Sequence, residues 1–145
     1  MQDFFDNTIG VQARASVISQ LLLNSAALAQ WDPEIRSVSA LNSDGEFELF
    51  RGHSAINRSE KLTVSANDTA INYRIKGDRL SYQVQFQLTA KGEMTVVNES
   101  VMVEASPKLN VPLTLLRPIA QHAFMTNLRG LANLAERWSD SKAPQ

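Results

Sequence analysis

The stretch LTLLRPIAQHAFMTNLRGLANLAERW, residues 113–138, decides the fold, because it is the one long segment with sustained helical periodicity. At 3.6 residues per turn, Leu116, Ile119, Ala120, Ala123, Phe124, Leu128, Leu131, Leu134, Ala135 and Trp138 form one wide apolar stripe. Thr114, Gln121, His122, Arg129, Asn133 and Glu136 fall on the opposite side. A stripe of that width has to be buried against another element. Pro112 opens the region, and Pro118 lies early enough to mark the helix start or a kink. Residues 139–145 are polar, include Pro144 and read as a frayed tail.

Upstream, nearly everything from Arg36 to Ala105 reads as strand. Turn signals divide it into Arg36 to Ser43, Glu46 to Gly52, Asn57 to Ala66, Thr69 to Lys76, Arg79 to Ala90 and Glu93 to Ala105. Asp44-Gly45 is the strongest short hairpin signal, and Asn67-Asp68, Gly77-Asp78 and Lys91-Gly92 mark the later turns. Phe4 to Ala13 reads as a first strand, with Phe5, Ile9 and Val11 at alternate positions. Two short helices follow. Ser16 caps the first, which carries Val17, Ile18, Leu21 and Leu22, and Ser25 caps the second, Ala26 to Gln30. Trp31-Asp32-Pro33 ends the pair, since proline disfavours helix in the residue before it.

If each turn is a two-residue hairpin, the register follows. Val84 then faces Glu99, Tyr73 faces Tyr82, Leu62 faces Tyr73 and Ala40 faces Leu49. The apolar residues of all four hairpins land on one face. Asn72, Arg74, Lys76, Ser81, Gln83, Gln85 and Gln87 land on the other, and a one-residue slip would invert the pattern. The expected fold is therefore α+β: a one-sided, curved antiparallel sheet with its apolar face toward the long helix and room for a cavity between them.

A chain of 145 residues fits one domain, 1–145, with a single core. Lys plus Arg number 14 and Asp plus Glu 15, intermixed along the chain, so the concentrated basic footprint of a nucleic-acid binder is missing. There is no cysteine, which removes disulfides, thiolate nucleophiles and cysteine metal sites. No apolar run is long enough to span a membrane, and Met1 to Asp6 lacks the basic start of a secretory signal. The expectation is a soluble, cytoplasmic protein of open oligomeric state.

The order of strand, two short helices, six antiparallel strands and long helix resembles the helix-grip fold of the START/polyketide-cyclase (SRPBCC) superfamily, over Phe4 to Trp138. The most specific local feature is Trp31-Asp32-Pro33-Glu34-Ile35-Arg36-Ser37-Val38, which resembles the family's tryptophan-x-proline segment leading into the second strand. That segment marks the fold and carries no chemistry. The resemblance implies an internal cavity for a lipid-, sterol- or polyketide-like molecule, with catalysis in some members only, and implies no cofactor. The family's plant allergens have a glycine-rich loop that is absent here: Leu41-Asn42-Ser43-Asp44-Gly45-Glu46 holds one glycine.

The register puts three charged residues on the apolar face: Arg51, Glu60 and Glu99. An unpaired buried charge is very costly, so each has to be paired, at the rim, or in a wet cavity. Glu99 lies well inside its strand between Val97 and Val101, where a partnered carboxylate, a ligand anchor and a proton-transfer group are all open readings. Arg51 and Glu60 lie nearer strand ends, where a solvated rim is the plainer reading. Tyr73 and Tyr82 fill core or offer hydroxyls to a ligand. Asn127 interrupts the helix stripe and needs partners. With Phe86, Phe124 and Leu128 these residues make up the expected ligand-binding set. His53 and His122 read as loop and solvated helix residues without metal-ligand spacing. Trp31 and Trp138 read as packing anchors. A carrier for a small hydrophobic molecule, a cyclase- or dehydratase-like enzyme, and an interaction protein with a filled interior all fit this sequence. The enzyme would need Glu99, a tyrosine and Asn127 to converge.

Overall fold

The structure, a computed structural model, describes residues 1–42, 45–52 and 56–142, and the side chains of these up to 139. Asp44 of the strongest turn signal and His53 lie outside the described residues. Strand β1 (Gln2–Val11) leads to helix α1 (Ala15–Leu23), a 3-10 turn (Ser25–Ala27) and helix α2 (Leu28–Trp31). Strands β2 (Ile35–Ala40), β3 (Glu46–Arg51), β4 (Ser59–Ala66), β5 (Ala70–Gly77), β6 (Leu80–Lys91) and β7 (Met94–Ala105) follow, then helix α3 (Leu113–Lys142). The strands form one antiparallel sheet in the order β1-β7-β6-β5-β4-β3-β2. This is the expected helix-grip architecture.

Each hairpin pairing differs from the expected one by two residues. Tyr73 pairs with Val84 and Tyr82 with Ile75. Phe86, and not Val84, faces Glu99. Leu62 pairs with Ile75, and Val38 with Leu49. The causes are local. Gly92 takes a φ of 67°, which glycine reaches without penalty, so Gly92-Glu93 forms the β6–β7 loop in place of Lys91-Gly92. Asn67 stays outside its loop, because its Oδ1 accepts from the backbone N–H groups of Thr69 and Ala70. Gly77 remains in strand β5, paired with Glu60. A shift of two leaves each side chain on its original face, so the apolar face survives.

A bulge between Asp3 and Phe5 turns both Phe4 and Phe5 into the core. The capping reading also changes: Arg14 precedes α1 without a side-chain cap, and Asn24, not Ser25, accepts from the Ala26 N–H. Helix α3 runs past Trp138 to Lys142, so the tail expected from residue 139 is helical through residue 142.

Helix α3 has two different halves. In the C-terminal half Leu128, Leu131, Ala132, Leu134 and Ala135 are buried, and the backbone packs on β1, α1 and α2. Gly130 makes this close approach possible, since a Cβ there would sit 2.8 Å from the Trp31 carbonyl oxygen. In the N-terminal half Leu116 is buried, whereas Ala120, Ala123 and Phe124 are half-buried and Ile119 is 66% exposed. His122 and Arg129 face solvent, as the stripe requires.

Gly130 gives a test with an inverted sign. Replacing a helical glycine with alanine ordinarily stabilises by about 1 kcal/mol. Here Gly130→Ala forces α3 away from α2, and urea unfolding is expected to show a loss of about 1–3 kcal/mol, the usual cost of overpacking.

Candidate functional site

Helix α3 packs closely through its C-terminal half, whereas its N-terminal half, tied to β1 through Gln121 with Asp6 and Asn7, spans a gap above the sheet. The gap is a cavity of about 180 Å³. Leu49, Leu62, Ile75, Val84, Phe86 and Val101 supply its floor from the sheet. Leu116, Ala120, Ala123, Phe124 and Asn127 supply the roof from α3, with Phe4, Phe5 and Trp31 at the sides. Exposed Ile119 and Glu34 also border it, so the cavity reaches solvent past these residues. Phe124 holds the roof together by edge contacts with Phe5 (ring centroids 5.2 Å apart) and Tyr82 (5.6 Å).

At one end stands a buried charge cluster. Arg51 Nε donates to Glu60 Oε1 at 2.7 Å, and Nη1 donates to Asp32 Oδ2 at 2.9 Å. Arg51 Nη2 reaches the Tyr82 hydroxyl at 3.4 Å, and that hydroxyl donates to Glu60 Oε2 at 2.9 Å. Asn57 Nδ2 donates to Glu60 Oε2 at 2.9 Å and to the Leu80 carbonyl at 2.7 Å. Asn57 Oδ1 accepts from the backbone N–H groups of Arg79 and Leu80. A side chain on Gly77 would collide with the Asn57 amide, which explains the glycine. The rim reading of Arg51 and Glu60 is thus corrected. Glu60 is 4% exposed, because the α2–β2 connection brings Asp32 over the strand end and the β3–β4 connection brings in Asn57. Burial alone would favour loss of the Arg51 charge, but Tyr82, Glu60 and Asp32 hold its pKa above the ordinary value. Burial first, and Glu60 second, raise the Tyr82 hydroxyl.

Glu99 lies apart from this cluster, 3% exposed, on the cavity wall. Its Oε1 accepts from Asn7 Nδ2 at 3.2 Å, and Asn7 also donates to the Gln121 carbonyl of α3 at 3.3 Å. Neither a tyrosine nor Asn127, the groups that an enzyme would need beside Glu99, is its hydrogen-bond partner among the described residues. Asn7 on β1 takes that place because β1, not β6, brings its side chain across from Asn7↔Glu99 pairing. Burial pushes the Glu99 carboxyl up to about 7, against a smaller lowering from the Asn7 bond.

Of the expected site residues, Arg51, Glu60, Tyr73, Tyr82, Phe86, Glu99, Phe124 and Asn127 line the cavity. Leu128 does not: one turn beyond Phe124, it is buried in the clamped half of α3. The tyrosine hydroxyls point to protein partners, Tyr82 to Glu60 and Tyr73 to the Leu22 carbonyl. Asp32, Asn57 and Asn7 were missed. Trp31 lines the cavity as well as anchoring α2, and its indole N–H is buried without an acceptor among the described residues. Among the described residues no group of three His, Asp or Glu side chains could hold a metal ion, and no helix is long and apolar enough to cross a membrane.

No family model matches the chain, and no curated protein sequence does. Solved structures do resemble it. A START superfamily protein from Mycobacterium smegmatis superposes with a TM-score of 0.79 at 21% identity, covering 94% of this chain and 99% of that one. The shared fold is the helix-grip fold. A conserved protein from Geobacillus kaustophilus superposes at 0.76 with 12% identity, covering 91% of this chain and 94% of its own. Truncated norcoclaurine synthase from Thalictrum flavum does so at 0.69 with 10% identity, over 92% and 95%. At these identities the START likeness concerns the fold alone.

Two expectations test the site. Arg51→Met leaves Asp32 and Glu60 buried without their cation, and should cost about 3–5 kcal/mol in urea unfolding; a change near zero would mean that water solvates both carboxylates. The second concerns pH. With its carboxyl raised from 4.5 to about 7, folded Glu99 binds more protons than unfolded Glu99 across that window. Wild-type stability therefore falls relative to Glu99→Gln as pH rises from 4.5 to 7, by on the order of 3 kcal/mol, and the difference is flat above. Paired unfolding curves across this range check it.

Proposed function

We propose that the protein binds a small hydrophobic molecule in the cavity beneath α3. The observation that carries this reading is the cavity itself: about 180 Å³ with mainly aliphatic and aromatic walls and polar groups confined to a few places. Sites for apolar small molecules have this composition, with a few placed polar groups fixing orientation. Lipid-, sterol- and polyketide-like molecules, the classes that the START resemblance implies, all offer the apolar body such walls accept. A cytoplasmic carrier without a nucleic-acid partner is the fuller form of the reading, and the balanced, intermixed charge supports the second part of it.

One observation favours a second reading, a cyclase- or dehydratase-like enzyme. A carboxyl near 7 is suited to proton transfer at neutral pH, and Glu99 is one. Against it, neither tyrosine hydroxyl is available to act with Glu99, since each is engaged elsewhere.

The test is a thermal-shift screen of hydrophobic molecules against the wild type and Ala123→Phe, which puts a ring into the cavity from its roof. A ligand present at a hundred times its Kd should stabilise the wild type by about 2.7 kcal/mol. Ala123→Phe should remain folded and lose the response. Equal shifts in both proteins would place binding outside the cavity. Conversion of a hit to product by the wild type but not by Glu99→Gln would select the enzyme.

A further inference from the structure

We infer that the cavity selects molecules whose apolar body carries a basic amine, held as an ammonium by Glu99, and rejects those that carry a carboxylate. This rests on the binding reading above and deepens it. The first ground is charge. Among the described residues four carboxylates border the cavity, Asp32, Glu34, Glu60 and Glu99, against one cation, Arg51. The second is that the cation is spent. Arg51 directs Nε at Glu60, Nη1 at Asp32 and Nη2 at the Tyr82 hydroxyl. A ligand carboxylate would have to displace Asp32 or Glu60 from it and would enter among like charges in a low-dielectric space, where repulsion is poorly screened.

The third ground is the geometry of Glu99. Asn7 occupies Oε1, and no described residue donates to Oε2. The side chain is on the cavity wall, and its hydrogen bond is to Asn7, whereas the Arg51 cluster bonds within itself. Once ionised, the Glu99 carboxylate accepts hydrogen bonds and donates none, so the partner that completes the charged form is a donor. An ammonium supplies both the donor and the charge, and such a charge-assisted bond is about twice as strong as a neutral one. Among the described residues the other titratable groups around the cavity, Asp32, Glu34, Glu60, Tyr73 and Tyr82, contribute no competing cation. The raised carboxyl of Glu99 fits the same picture. Without a cation it holds its proton up to about 7, and an ammonium beside it expels that proton.

Titration calorimetry with octylamine, 1-octanol and octanoate, three probes of one chain length, tests this at about pH 8, where Glu99 is ionised and the amine is charged. The amine should bind at least roughly tenfold more tightly than the alcohol, and octanoate most weakly of the three. Glu99→Gln should bring the ratio of amine to alcohol affinity to about one. As a check that needs no variant, amine binding to the wild type near pH 6 should release a fraction of a proton, seen as a heat that varies with the buffer's ionisation enthalpy, whereas alcohol binding should not. Alcohol binding with no preference for the amine, or a preference that Glu99→Gln keeps, overturns the amine inference and leaves the cavity reading standing. Failure of all three probes to bind overturns both.

Discussion

The structure depends on the close approach of two backbones, Gly130 of α3 and the Trp31 carbonyl at the end of α2. That contact fixes where the long helix rests. Beyond it toward the C-terminus, the apolar stripe is packed on β1, α1 and α2. Before it, the helix extends as a beam over the sheet, and the strands curve below without closing the distance. The cavity is thus a geometric consequence of clamping a 30-residue helix at one side of a curved sheet. Aromatic edges, Phe124 with Phe5 and Tyr82, and the Gln121 bonds to Asp6 and Asn7 brace the N-terminal half without filling the space beneath it.

The two polar features of the cavity have opposite characters. The Arg51 cluster is internally satisfied: the cation, both carboxylates, the Tyr82 hydroxyl and the Asn57 amide donate to and accept from one another. Such a network resists change, since removing one member strands the others in a low-dielectric environment. It also joins the α2–β2 and β3–β4 connections to β6, so it fixes the end wall of the cavity. Among the described residues Glu99 has one donor, Asn7, and an oxygen to spare. Buried among Val97, Val101 and Phe86, it is held by burial in a state from which its charge responds to whatever enters. The first feature is architecture; the second is where a ligand can be read.

The fold was legible because two periods dominate the chain, 3.6 in residues 113–138 and 2 in the strands. The period of 2 fixes which face a side chain takes, but leaves open any shift by two. This is why the faces came out right while every hairpin pairing moved. The deciding signals lay in turn chemistry: the left-handed Gly92, the Asn67 side chain folded onto its own turn, and Gly77 retained in β5 to admit Asn57. The site was legible as far as it lay on the sheet and the helix. Arg51, Glu60 and Glu99 stood out as charges on an apolar face. Their partners did not, because Asp32, Asn57 and Asn7 come from connections and from the far edge of the sheet. Asp32 had a usable signal: an arginine on a core face requires an acid, and Asp32 follows a tryptophan that was already read as buried. Asn7 had a weaker one, an amide two residues from Phe5 and Ile9 in the same alternating strand.

The most direct measurement is a crystal structure of the protein purified from its native host, with the space between Phe86, Glu99 and Phe124 inspected for bound density. The account predicts an open cavity with continuous, elongated density along its apolar walls and a polar end at Glu99. A cavity closed by Phe124 and its neighbours, or one holding only discrete water molecules, would contradict it.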